Sequence, residues 1–212
     1  MAKSNGLRDL EAFERIEIGP TRVETNRCIT PYAVVARGEI HQTELTYKYE
    51  EDVFDPASPA DRNLAGLIGA QVALNYGLFT RNLVFNDPFD DHDRRFVEEM
   101  ARGTAREIYV NKLLASNPFL VDGFGPLPAK KLPDFLRARL IFDGSGNAGS
   151  KKPAPARWMT SPERYAVLSS GGKDSLLSFG LLREIGREVH PIYVNESGRH
   201  WYTALNAYRR FT

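Results

Sequence analysis

The sequence predicts two folded parts of different class: an α+β amino-terminal domain, then the start of an α/β domain that is incomplete in this chain. Three observations carry that expectation. Residues 15–54 alternate apolar and polar positions at the period of a half-buried strand, and residues 60–116 switch to helical spacing. Residues 117–164 are rich in Pro and Gly, as a connecting segment is. From Tyr165 an apolar run, a glycine turn and an apolar-faced helix follow in the order of a βαβ unit.

Composition narrows the class of protein. With 42% hydrophobic and 26% charged residues, the 212-residue chain has the balance of a globular protein and the length for one large or two small domains. A formal net charge of +1 supplies no field toward nucleic acid or an anionic membrane, so neither is expected as a partner. The most apolar helical run, Leu64 to Phe79, contains Gln71 and Asn75 and is too short to span a bilayer. The single cysteine, Cys28, excludes an internal disulfide and is expected in the core. Met1 to Gly6 lacks the apolar centre of a signal peptide. Together these predict a cytoplasmic protein.

Along the chain, residues 1–14 form a polar lead-in. Ile16 and Ile18, the β-prone run Thr30 to Ala36, and the alternation of Leu45, Tyr47 and Tyr49 predict at least three antiparallel strands. Asp55-Pro56 and Ser58-Pro59 break the pattern and open a helix over about 60–78, with Leu64, Leu67, Ile68, Leu74 and Leu78 on one stripe. A short strand, Asn82 to Phe85, ends at Asp87-Pro88. A long helix over 91–116 follows, with Phe96, Val97, Met100, Ala101, Ile108, Leu113 and Leu114 on its apolar side. Its acidic start and the Asn117-Pro118 stop mark the boundaries. The expected division is a 1–116 α+β domain, a 117–164 linker whose one strand is Arg137 to Phe142, and a 165–212 segment beginning the second domain.

In that segment Tyr165 to Leu168 reads as a strand buried on both faces, and Val189 to Asn195 as a second parallel strand. Leu176, Leu177, Phe179, Leu181 and Leu182 line the helix between them, which Gly186 ends. Another helix starts near Arg199. A doubly wound domain needs about four or five parallel strands, and two are expected here. The sequence thus reads as part of a longer protein, or as a sheet completed by another chain, and as catalytically incompetent alone.

The turn Ser170-Gly171-Gly172-Lys173-Asp174-Ser175 is the clearest chemical signal. The first N–H groups of a helix lack intrahelical acceptors, and the helix dipole puts partial positive charge there. Gly171 and Gly172 let backbone approach a phosphate, Lys173 adds a full charge, and Ser170 and Ser175 add hydroxyls. The expected ligand is a pyrophosphate group.

This string resembles the signature of the PP-loop ATP pyrophosphatases, the adenine nucleotide alpha hydrolases. The resemblance implies a Rossmann-like parallel sheet, and cleavage of ATP between its α and β phosphates to adenylate a substrate. Residues 170–175 would cradle the pyrophosphate, Asp174 would help orient the loop or a Mg²⁺ ion, and backbone near Val194 and Asn195 would read adenine.

Other candidates are weaker or different in kind. Gly144-Ser145-Gly146-Asn147-Ala148-Gly149 matches G-x-G-x-x-G, but Ser150 to Pro155 cannot form the helix that motif requires. Lys151, Lys152 and Arg157 form a basic cluster that either is solvated or clamps phosphate. His41 and His92 are isolated, with no spacing for zinc. His190 is expected in the core. Trp158 and Trp201 read as packing residues, Trp201 also as a residue that could line the nucleotide edge. Glu196, Arg199 and His200 cluster at the carboxyl end of the second strand, where open parallel sheets bind ligands. Arg199 could hold a carboxylate or phosphate, and Glu196 or His200 could move a proton.

A closer resemblance joins these strings. Ser169 to Ser178, His190 to Trp201 and Thr203 to Arg209 look like the bacterial UDP-N-acetylmuramoyl-L-alanyl-L-glutamate epimerase family, over about residues 165–210. That resemblance implies ATP- and Mg²⁺-dependent inversion of the terminal glutamate of a UDP-linked muramoyl dipeptide for peptidoglycan synthesis. Among the catalytic residues it implies are Lys173 and Asp174. Alternatives on the same loop are tRNA modification, amide synthesis, or a nucleotide-binding sensor without turnover.

Overall fold

The computed structural model describes residues 10–114, 127, 129, 132–144, 160–194 and 198–211, the last span without the side chains of 198–199 and 210–211. The chain divides into two compact units, Met1–Ala156 and Arg157–Thr212. Both combine helices with strands, and the first unit carries a mixed sheet.

The first unit is built on strands β1 (Phe13–Ile18), β2 (Arg22–Glu24), β3 (Arg27–Ala36), β4 (Glu39–Lys48), β5 (Thr80–Phe85) and β6 (Arg139–Phe142). β3 pairs antiparallel with β4 along its whole length, through a tight turn in which Arg37 and Gly38 both have positive φ. On its other side β3 pairs antiparallel with β1 and then with β2. The expected antiparallel strands are therefore present, but the sheet is not antiparallel throughout. β1 pairs parallel with β5, and β5 with β6. Each of those strands arrives after a helical connection that returns the chain to the same end, which permits parallel pairing, whereas a hairpin would not. The strand expected within a linker is in fact the edge strand of this sheet.

Register explains which face is buried. Val34, Ile16, Leu83 and Leu140 form one cross-sheet row, and Tyr32, Ile18, Phe85 and Phe142 the next. Both rows join the core that α1 (Pro59–Ala70), a 3-10 turn (Gln71–Tyr76) and α2 (Asp91–Ile108) complete. The expected single helix over 60–78 tightens after Ala70, where a side chain distant in sequence enters. The Tyr32 phenol donates to Gly69 O at 2.5 Å while the Ala73 N–H addresses the phenol oxygen. The hydroxyl thus stands in the i to i+4 ladder and interrupts it. Cys28 is fully buried, as expected.

α2 buries Val97, Ala101 and Ala105, one turn apart, while Phe96 and Met100 stay exposed. Its last turn widens into a π turn, Tyr109–Leu113, with Leu114 N–H on Tyr109 O at 3.1 Å. The amino end carries a capping box: Asp90 accepts from His92 N–H and Asp93 N–H, and Asp93 accepts from Asp90 N–H. These donors, the Asp93 N–H first, hold the Asp90 carboxyl below its usual range. A lowered folded-state value means that the carboxylate contributes stability above the ordinary carboxylate range and loses it on acidification. Asp90→Ala is expected to lower stability by about 1 kcal/mol at neutral pH. Asp90→Asn should keep the cap and flatten the acid limb of the melting profile as the pH falls through and below the ordinary carboxylate range. An unchanged acid limb in the Asn variant would show that the charge plays no part.

Asp87 is the one buried carboxyl among the described residues of this unit, 5% exposed just past the carboxyl end of β5. Burial raises its pKa, against two donors from Thr21, the N–H and Oγ1, each at 2.9 Å. A Cβ on Gly66 would lie 2.8 Å from Asp87 Cγ, so helix α1 approaches this carboxyl through a glycine.

The second unit contains β7 (Arg164–Leu168), α3 (Lys173–Glu184), β8 (Glu188–Ile192) and α4 (Gly198–Phe211), with β7 and β8 parallel in register from Arg164↔Glu188 to Leu168↔Ile192. The burial expected on both strand faces is absent. Val167, Val189 and Pro191 are half-buried, whereas Leu168 is 75% and Ile192 44% exposed. The alternation shows one covered face, because a parallel strand becomes two-faced core only with layers on both sides. His190, expected in the core, lies on the open face and pairs with Glu188 at 2.8 Å.

Candidate anion-binding loop

The loop 169–175 leaves β7 at its carboxyl end and enters α3. Ser169 N–H donates to Ile192 O at 2.8 Å, which ties the loop to the end of β8. Gly171 then takes φ +78°, a left-handed conformation that glycine adopts without strain. The chain turns there, and Gly172 becomes the N-cap of α3 at φ −76°, ψ 163°.

Glycine at 171 is required twice over. A Cβ there would sit deep inside the contact radius of the Thr203 γ-methyl, so α4 packs directly on the loop. Gly172 is less confined, since its nearest neighbour to an added Cβ is Ser170 Oγ at 3.5 Å.

Hydroxyls fix the remainder. Ser169 Oγ accepts from Gly171 N–H at 3.1 Å and lies 3.0 Å from Ser175 Oγ. Ser175 Oγ donates to Gly172 O at 2.9 Å, and Leu176 N–H reaches the same carbonyl at 3.2 Å. No side chain caps α3. The N–H groups of Lys173, Asp174 and Ser175, the first turn, therefore have no intrahelical acceptor and open at the loop's mouth. Ser170, Lys173 and Asp174 are exposed around it.

The structure thus brings Ser170 through Ser175 into one cradle at a helix amino end. Val194 lies two residues past β8, at the same strand end, and is exposed, as are His200 and Trp201 on α4. Arg199 is part of the α4 backbone. Asn195, Glu196, Lys151, Lys152, Arg157 and Trp158 lie outside the described residues, as do 145–149 of the glycine-rich stretch. Two contributors escape a reading of the sequence. Ser169 stands just before the glycine string and its role follows only from its bonds, while Thr203 is distant in sequence and reaches Gly171 through the packing of α4.

Among the described residues no three His, Cys, Asp or Glu side chains gather as a metal site. No described helix is long and apolar enough to cross a membrane. His92 bonds Arg95 and His41 pairs with Glu39. No family model, curated protein or solved structure matches the chain.

Proposed function

We propose that the 170–175 loop binds the pyrophosphate part of ATP, and that the protein is a PP-loop adenylating enzyme with a Rossmann-like domain. The proposed substrate is UDP-N-acetylmuramoyl-L-alanyl-L-glutamate, whose terminal glutamate would be inverted for peptidoglycan synthesis in the cytoplasm. One observation carries the anion-binding part: an uncapped helix start, reached through a left-handed glycine, at the carboxyl end of a parallel strand pair. The substrate assignment rests on the resemblance of residues 165–210 described above.

The residues present fit Mg²⁺ in one familiar way. Mg²⁺ is usually held by one or two carboxylates together with substrate phosphates and waters, and Asp174 offers an exposed carboxylate on the first turn of α3. The ion would offset phosphate charge. Lys173 supplies the second positive charge.

Chemically, adenylation serves inversion. A carboxylate resists loss of its α-proton because the resulting anion cannot readily take more charge. Attack of the carboxylate oxygen on the α-phosphorus breaks the bond to the β-phosphate and releases pyrophosphate. The acyl-AMP so formed is a better electron sink. A base removes the α-proton, reprotonation on the opposite face inverts the centre, and hydrolysis releases AMP. Arg199 is proposed to hold an anionic group of the substrate, and Glu196 or His200 to transfer the proton.

Incubation with this dipeptide substrate, ATP and Mg²⁺ in D₂O is expected to place deuterium at the glutamate α-carbon and to form AMP and pyrophosphate. AMP without deuterium would reject the epimerase and keep an adenylating enzyme, such as one of tRNA modification or amide synthesis. ATP binding with neither product would leave a nucleotide sensor.

A further inference from the structure

The three hydroxyl contacts of the loop have a direction that the backbone imposes. Gly171 N–H can only donate, so Ser169 Oγ accepts from it. Gly172 O can only accept, so the single proton of Ser175 Oγ goes to that carbonyl. The 3.0 Å contact between the two hydroxyls must therefore be filled by the Ser169 proton. A one-way chain results, from Gly171 N–H through Ser169 and Ser175 to Gly172 O.

We propose that Ser169 is a positioning residue for anion binding, and that Ser175 is a hydroxyl switch whose proton moves from Gly172 O to the bound phosphate. This rests on the pyrophosphate reading of the loop. Ser169 acts through Ser175: by donating to its oxygen it polarises the Ser175 O–H and makes it a stronger donor. Release of the carbonyl leaves no orphan, because Leu176 N–H remains on Gly172 O at 3.2 Å. The switch exchanges a neutral hydrogen bond for a charge-assisted one, roughly twice as strong. Ser169 also takes up the Gly171 N–H, which leaves the first-turn N–H groups of α3 and the Ser175 proton as the donors for the anion.

A double-mutant cycle on the 212-residue chain tests this, with inorganic pyrophosphate plus Mg²⁺ as the probe in calorimetry. Ser169→Ala is expected to weaken binding about five- to tenfold, and Ser169→Thr, which keeps the hydroxyl, to restore it within about twofold. In a Ser175→Ala background, Ser169→Ala should cost at most about twofold, because its route through the Ser175 hydroxyl is gone and only its hold on the Gly171 N–H remains. An equal loss in both backgrounds would make Ser169 a general support and overturn the proposal, as would no loss at all. Wild type that fails to bind pyrophosphate would overturn the loop reading itself, a distinct result. Should Ser169→Ala unfold the unit, Ser169→Cys, close in shape but a weak donor, takes its place with the same expected loss.

Discussion

Gly171→Ala is expected to weaken pyrophosphate binding by about a hundredfold or more, while Gly172→Ala costs no more than about tenfold. The contrast follows from two properties at neighbouring positions. At φ +78° an alanine pays roughly 1–2 kcal/mol of backbone strain. Its Cβ also collides with the Thr203 γ-methyl, and overpacking of that kind costs about 1–3 kcal/mol. Loop and α4 must separate, and the first-turn N–H groups lose their common direction. Gly172 has φ −76° and 3.5 Å of clearance to Ser170 Oγ, so its alanine fits the existing backbone. Thr203→Ser removes the methyl, and in the Gly171→Ala background it should recover part of the loss. Calorimetric titration of the four proteins decides the matter. Equal binding by Gly171→Ala and wild type would mean that this turn does not shape the site.

Phe85→Ala is expected to be the most destabilising single change in the first unit. The ring is 1% exposed, stacks on Phe142 at 5.2 Å between centroids and meets Phe89 at 6.1 Å. It lies in the cross-sheet row with Tyr32 and Ile18. Phe→Ala in such a core costs about 3–5 kcal/mol through lost transfer energy and the cavity left behind. For a unit of this size that lowers the melting temperature by roughly 6–20 °C. Phe96→Ala is the control, since that ring is 46% exposed and its loss should stay within about 0.5 kcal/mol. Two equal melting shifts would contradict the placement of the core.

Local chemistry explains which features the sequence disclosed. The strand around Leu45 and Tyr47 shows in its alternation, and the start of α2 in its acidic first turn. The strand–turn–helix path of the 169–175 loop shows because its glycines and helix start fall within six consecutive residues. Features that depend on distant partners were hidden. Nothing near Arg139 states that it will pair with Asn82 rather than stand in a connection. The break after Ala70 is caused by Tyr32, from another strand. Thr203 carries no mark of its contact with Gly171. The exposed strand faces of the second unit depart from the two-faced burial that its apolar runs imply, because burial belongs to the layers around a strand and not to its own residues.

The parallel half of the first sheet bears on how the protein is made. β1, β3 and β4 can pair as soon as residue 48 has emerged, since their contacts are local. The other edge of β1 waits until Phe13 meets Thr80, and β5 stays uncovered until Arg139–Phe142 arrives. Distant pairings of this kind slow folding, because the loop must close before any contact rewards it. Throughout that interval Leu83 and Phe85 lie on a strand with one open edge, the kind that recruits other chains. β6 is therefore the last strand to join: a nascent chain stalled before residue 139 is expected to expose the whole β5 edge, and one that passes it exchanges that edge for the four-residue edge of β6.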